Sequence, residues 1–413
     1  MARPTVARID LNALAHNVDQ VRRLVGQRKI CAAVKADAYG HGAAVVCHAL
    51  SRAGVDLFAV AMTEEAVELR CAGIRKPIFL LTAAPAADID MILEYGVSAC
   101  VTEEGFAREL SARALQQGRR AGVHVKVDTG MRRVGIDWQV AAAAVCRIEA
   151  LPGLCIEGMF SHFACADADD LSFSREQVRR FSTVLGQVRR AGINPPLVHM
   201  ANSNGVMRLP EAYFDGVRPG LMLYGMLSRP ELSEKVNLKP ALSMRTAIAH
   251  IKSVAAGERI GYSHTFATWR PSVVATLPIG YHDGFIRQFS NTGEVLVRGR
   301  RAPVVGRVCM DQTLIDATDV PGAQLGDEVV IYGRQGDAAI GVEEMARRVE
   351  RIPYELTCAV SPRVRREFVL NGAVVVQTPF VSVVPSTALS EGFLKATAAD
   401  ERPAAQPAKR GAA

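Results

Sequence analysis

A lysine closes the apolar run ICAAV at position 35 and opens the glycine-containing stretch KADAYGHG. A charged amine at the end of a buried strand either snorkels to solvent or is held at the mouth of a site as a nucleophile. Other apolar runs end in a similar way. TGMRR follows VHVKVD, SHF follows CIEGMF, NSNG follows LVHMA, and RPGLMLYG follows FDGVR. These segments supply Arg132 and Arg133, His162, Asn202 with Ser203, and Arg218 with Gly220. Taken singly, His162 reads as an ordinary hydrogen-bonded imidazole and Ser203 as a helix cap. Their joint occurrence after successive strands points instead to one shared site. The hydroxyl and amide groups of ANSNG, beside a glycine that lets backbone approach closely, suit a phosphate. A phosphate site facing a strand-end lysine suggests pyridoxal phosphate joined to Lys35 as a Schiff base. A sugar-phosphate aldolase or isomerase would use the same elements, and the residue types alone leave both readings open.

The elements that must position these groups alternate in type. Short apolar runs at 30–35, 57–61, 78–82, 98–102, 123–128, 155–160, 197–201 and 214–218 are separated by stretches with helical spacing, such as GAAVVCHALSRAG. Such alternation implies parallel strands joined by helical crossovers, and eight strands close a (β/α)8 TIM-type barrel. A doubly wound open sheet is the competing architecture. On a barrel the polar segments would all lie at the C-terminal face, where such enzymes place their sites. Beyond about residue 237 the texture changes to short Val/Ile/Thr-rich runs between Gly and Pro turns, interrupted by one helical stretch, GVEEMARRVE. This predicts a second, mainly antiparallel β domain. The expected division is 1–236 for the barrel, 237–371 for the β domain, and 372–413 for an Ala/Pro-rich, disordered tail.

Composition narrows the class further. The 413 residues are 49% hydrophobic, with no apolar run near the roughly 18 residues a membrane span needs. MARPTVARIDLNAL meets charge too early to hold a signal-peptide core, so a cytoplasmic protein with no membrane partner is expected. Nine scattered cysteines without a C-x-x-C pair suit free thiols in a reducing compartment and no metal centre. The net charge of +7 is spread along the chain with few aromatic residues, which argues against nucleic-acid binding.

KADAYGHG (35–42) resembles the cofactor-lysine signature of the alanine racemase family. The resemblance extends, in family order, through VKVDTGM (125–131), SHFACAD (161–167), ANSNG (201–205) and VRPGLMLYG (217–225). It continues with GYSHTF (261–266), LPIGYHDGF (277–285), VGRVCMDQ (305–312) and YEL (354–356). It implies a barrel plus β domain that uses pyridoxal 5'-phosphate to interconvert L- and D-alanine, as a supply of D-alanine for peptidoglycan. By the same resemblance Lys35 carries the cofactor and acts as one base. Tyr262 is the other base, contributed across a homodimer whose active site is shared between chains. Arg133 and the backbone of Met310 bind substrate. Tyr39, Ser203, Gly220, Leu221 and Tyr354 hold the phosphate, with Asn202 beside it. Arg218 faces the pyridine nitrogen with His162 near it, and Cys309 and Asp311 line the partner's side. Lys126 matches a position that is carbamylated in some relatives. Arg132 stands where family members commonly carry glycine, so the choice of Arg133 over Arg132 rests on spacing. A broad-specificity or serine racemase is the nearest alternative. A non-catalytic pyridoxal phosphate carrier would resemble the barrel alone.

Overall fold

The computed structural model describes residues 3–378. Its first helix, Leu11–Val25, illustrates how the sequence builds each crossover. Asp10 caps it by accepting from the amides of Asn12 and Ala13, and Gly26, at φ 63°, ends it. Leu11, Leu14, Val18, Val21 and Val25 recur three or four residues apart, so one face is buried.

The eight expected barrel strands all form, as Lys29–Ala33, Leu57–Val60, Ile78–Leu80, Ala99–Val101, Ala121–Asp128, Leu154–Phe160, Val198–His199 and Gly216–Val217. Each pairs in parallel with the strand before it in this order, save for the third and fourth. That step is made by a parallel bridge between Phe79 and Ser98, and the last strand pairs with the first. The ring therefore closes, and the open-sheet alternative is excluded. Closure matters for function, because all eight strand ends then converge on one mouth.

The later strands are mainly antiparallel. Leu242–Ala247, Glu294–Val297, Arg300–Pro303 and Glu328–Gln335 join an eight-stranded sheet. His250–Val254, Ser272–Leu277 and Thr313–Asp316 form a second, antiparallel one. Two features depart from the expected division. The strand Val6–Asp10 lies in the eight-stranded sheet, antiparallel to Leu242–Ala247 and parallel to Arg365–Leu370. The chain thus starts in the β layer before entering the barrel. No periodicity could reveal this, because the pairing partners are hundreds of residues away. The expected tail also starts differently: Ala373–Gln377 is a strand paired with Arg365–Leu370. The remainder of that expectation, 379–413, lies outside the described residues.

Candidate active site

The barrel mouth opens into a cavity of about 580 Å³, within the usual range for a small-molecule site. It is lined by Lys35, Tyr39, Lys126, Arg133, His162, Asn202, Ser203, Arg218, Gly220, Leu221 and Tyr354. Residues read from separate strand ends are thus gathered in one place. Four of them are cationic, whereas Asp167 is the only acidic side chain in the lining among the described residues. Such a lining favours an anionic occupant.

Lys35 lies just past the first barrel strand, and the four residues after it adopt an unusual conformation. Ala36, Asp37, Ala38 and Tyr39 have φ of 53°, 53°, 53° and 56°, one turn of left-handed helix made without glycine. Each such residue costs about 1–2 kcal/mol relative to the right-handed form. Gly42 then caps the right-handed helix Ala43–Arg52. The turn sets Tyr39 against Gly220, where an added Cβ would lie 2.7 Å from the Tyr39 hydroxyl. The Tyr39 ring also packs against Tyr224 and edge-on to Tyr354. Burial, and next the Arg133 cation, bring the Lys35 amine below the ordinary lysine range.

Ser203 is not the helix cap that its isolated reading suggested. Asn202 caps Ser203–Arg208 by accepting from the Gly205 amide at 2.9 Å. The Ser203 hydroxyl oxygen instead accepts from the amides of Gly220 (3.0 Å) and Met222 (3.2 Å). With its oxygen so engaged, the hydroxyl proton is left to donate to an acceptor in the cavity.

Arg218 is only 4% exposed, and no carboxylate pairs with it among the described residues. Its guanidinium donates to His199 Nδ1 (2.7 Å), His162 Nδ1 (3.0 Å) and the Ser161 carbonyl (2.8 Å). Because a guanidinium only donates, both imidazoles must accept at Nδ1 and carry their proton on Nε2. His199 Nε2 then donates to His124 Nδ1 at 3.2 Å. Burial first, then the Arg218 charge, holds His162 and His199 well below the ordinary imidazole range and His124 down to about 3. All three are neutral acceptors at physiological pH. Burial also lowers Arg218, to about 10, which leaves it cationic. His199 and His124 were not among the expected site residues. The available signal was strand parity: His124, Lys126 and Asp128 alternate along one strand and share a face.

Lys126 donates to the Leu81 carbonyl at 2.9 Å and sits over the Phe160 ring. Burial is the main cause bringing it down to about 8. Arg133 lines the cavity and Arg132 does not. Arg132 turns away to an ion pair with Asp137 and occupies a left-handed position at φ 58°. A glycine would reach that conformation without strain. Arg132→Gly should therefore leave Tm equal or higher and kcat/KM for alanine within about twofold of the parent. A clear loss in either, by calorimetry or kinetics, would assign Arg132 a role in the site.

Four expected site residues lie elsewhere. Tyr262 is 69% exposed and Met310 is 52% exposed, and neither borders the Lys35 cavity. Cys309 and Asp311 also lie outside it. Their loop is held by the turn at 280–283, whose Tyr281 and His282 amides donate to the carbonyls of Cys309 and Met310. Asp283 braces that turn, accepting from Arg3, Arg363 and the Gly280 amide.

A closed parallel barrel with a cation-lined cavity at its strand ends, continued by a β domain, defines a class: two-domain barrel enzymes with the site at the barrel mouth. The chain belongs to the alanine racemase family. The sequence profile of the alanine racemase N-terminal domain matches residues 9–228, and that of the C-terminal domain matches 241–368. Alanine racemase 2 of Caldanaerobacter subterraneus subsp. tengcongensis is 43% identical over 374 residues, covering 90% of this chain and 96% of that protein. Among solved structures, the alanine racemase of Clostridium difficile 630 superposes with a TM-score of 0.88 at 33% identity, covering 92% of this chain and all of that one. The Bacillus anthracis alanine racemase with bound L-Ala-P superposes with a TM-score of 0.86 at 36% identity, covering 92% and 98%. Members of this family use pyridoxal phosphate. The residues here fit that group: a lysine of lowered basicity, a hydroxyl donor at Ser203, the close approach at Gly220, and a buried cation, Arg218, that no carboxylate pairs among the described residues.

Proposed function

We propose that this protein is a pyridoxal-phosphate-dependent racemase that interconverts L- and D-alanine, with Lys35 and Tyr262 as opposed proton carriers. The observation that carries this reading is the cation-lined cavity at the mouth of a barrel of this family. The positive field of Lys126, Arg133 and Arg218 favours an anionic cofactor and substrate, with Arg133 taking the substrate carboxylate. Tyr39, Ser203, Gly220, Leu221 and Tyr354 would hold the phosphate, with Asn202 beside them. Arg218 would donate to the ring nitrogen, and His162 and His199 keep its guanidinium oriented.

Bound pyridoxal phosphate supplies an electron sink that makes the substrate Cα–H acidic. The chain's own task is to move that proton between two faces, because a single base tends to return it to the face it left. Lys35, with its basicity lowered by burial, serves one face as a neutral amine at lower pH than a free lysine. Tyr262 serves the other from a second protomer, whose Met310 amide joins Arg133 at the carboxylate. Tyr281 and Met310 are exposed on loops joined by backbone hydrogen bonds, and Tyr262 is exposed as well, which leaves all three available to a second protomer and favours a homodimer. No helix among the described residues is long and apolar enough to cross a membrane, and a cytoplasmic role in D-alanine supply accords with the free cysteines.

Chiral assays on alanine, serine, lysine and arginine test the substrate. The highest kcat/KM is expected for alanine, because Tyr262 and Met310 of a second protomer, brought against Tyr354, would leave room for a small side chain only. A higher value for lysine would replace this reading by a broad-specificity racemase. The state of Lys126 is testable separately. At about 8, a substantial fraction of its amine is neutral near physiological pH, as addition to carbon dioxide requires. In 13C-bicarbonate a carbamate resonance should appear, strengthen as pH rises through 8, and vanish in Lys126→Ala. An unchanged spectrum in that variant would show that Lys126 stays unmodified.

A further inference from the structure

The left-handed turn at Ala36–Tyr39 is anchored from two directions by residues outside the cavity lining. From the barrel, Glu65 Oε1 accepts from the Ala36 amide at 2.6 Å, the first peptide after Lys35. Its Oε2 accepts from the amides of Ala61 (2.7 Å) and Met62 (3.1 Å) at the start of the helix Thr63–Cys71. From the β layer, the buried Arg366 donates to the Gly40 carbonyl at 3.3 Å and lies 3.5 Å from the Asp37 carboxylate. The carbonyls of Val360, Ser361 and Val364 accept from its two terminal nitrogens and hold the guanidinium in place. Asp37 in turn accepts from the Ala43 amide at 2.7 Å. Gly40 packs so closely that an added Cβ would lie 2.0 Å from the Thr357 carbonyl oxygen.

A run of non-glycine residues in the left-handed region persists only where its surroundings over-determine it. A right-handed alternative would carry Lys35 and Tyr39 away from their present positions. We infer that Glu65 and Arg366 are positioning residues, which hold this turn left-handed and thereby aim Lys35 at substrate and Tyr39 at phosphate. The inference rests on the reading that Lys35 and Tyr39 act in this cavity.

Glu65→Gln separates the turn from the helix cap. An amide has one acceptor oxygen. Keeping the bonds to Ala61 and Met62 turns its NH2 toward the Ala36 N–H, donor against donor. In the holoenzyme, hydrogen exchange over 34–42 should accelerate, and kcat for alanine should fall about tenfold or more while KM changes less than about threefold. Adding Ala36→Gly, which reaches positive φ without a Cβ penalty, should restore kcat to within about threefold of the parent. A merely structural role for Glu65 gives no reason for that rescue. Arg366→Lys, which cannot reach its several carbonyls at once, should accelerate exchange over the same segment, and it serves if Glu65→Gln does not fold. Unchanged exchange and kcat would overturn the inference. So would a lost kcat that Ala36→Gly fails to restore in a protein of parental Tm. If the parent enzyme does not racemise alanine, the functional reading fails, while the exchange data still decide whether Glu65 and Arg366 hold the turn.

Discussion

Tyr262→Phe is expected to lower racemisation by about 10²–10⁴-fold in both directions, the contribution of one positioned acid or base. Absorbance from bound cofactor should persist, because Tyr262 borders no part of the cavity that holds Lys35 in the same chain. The exposure of this phenol leads to a sharper test. Lys35→Ala and Tyr262→Phe, each nearly inactive alone, should complement when dimers are mixed. Each mixed dimer has one site with both residues intact and one with neither. Random assortment in a two-fold dimer therefore restores about a quarter of parental activity. Activity that stays at the sum of the separate variants would place both bases in one chain and overturn the shared site. Retained activity in Tyr262→Phe alone would remove the second base altogether.

Arg218→Glu should have an effect of similar size. The guanidinium donates to four neighbouring groups, and its replacement leaves His199, His162 and the carbonyls of Ser161 and Met200 without this donor. Buried acceptors left unpaired are costly, and the loss of a preorganised donor typically lowers rate by about 10²–10³-fold. The substitution also changes what the ring nitrogen meets. Arginine at neutral pH donates a hydrogen bond but gives up its proton with difficulty. A carboxylate favours a protonated ring and a deeper electron sink, with more opportunity for transamination. Racemisation should therefore fall while the ratio of transamination to racemisation rises, as pyruvate release measured against chiral turnover would reveal. An unchanged ratio would mean that Arg218 does not govern the fate of the substrate carbon.

Tyr262 is reached only through the family resemblance, whereas Arg218 could be read from the chain, and the reason is geometric. Lys35, His162, Ser203 and Arg218 could be read from sequence because a barrel turns chain order into geometry. Each lies just past an apolar run, and strand ends of a closed barrel meet at one mouth. The Ser203 helix-cap reading failed because hydroxyl partners are chosen in three dimensions. Asn202 takes the cap, and Ser203 reaches the amides of Gly220 and Met222. His124 and His199 stayed hidden because an imidazole in a buried strand looks like core until its neighbour is known.

Strand order, the change to β texture and the motifs that carry the chemistry were all legible in the chain alone. These depend on local periodicity and on residues near one another in the chain. The crossing of Val6–Asp10 to the β sheet was not legible, nor was the outward turn of Arg132 beside the inward turn of Arg133; both are set by folding. The left-handed turn after Lys35 belongs with them. Ala, Asp, Ala and Tyr have no local preference for positive φ, and the turn exists because Glu65 and Arg366 bind its backbone from distant elements. Conformations that oppose local preference are invisible to local reading, because the energy that holds them comes from contacts made only after folding.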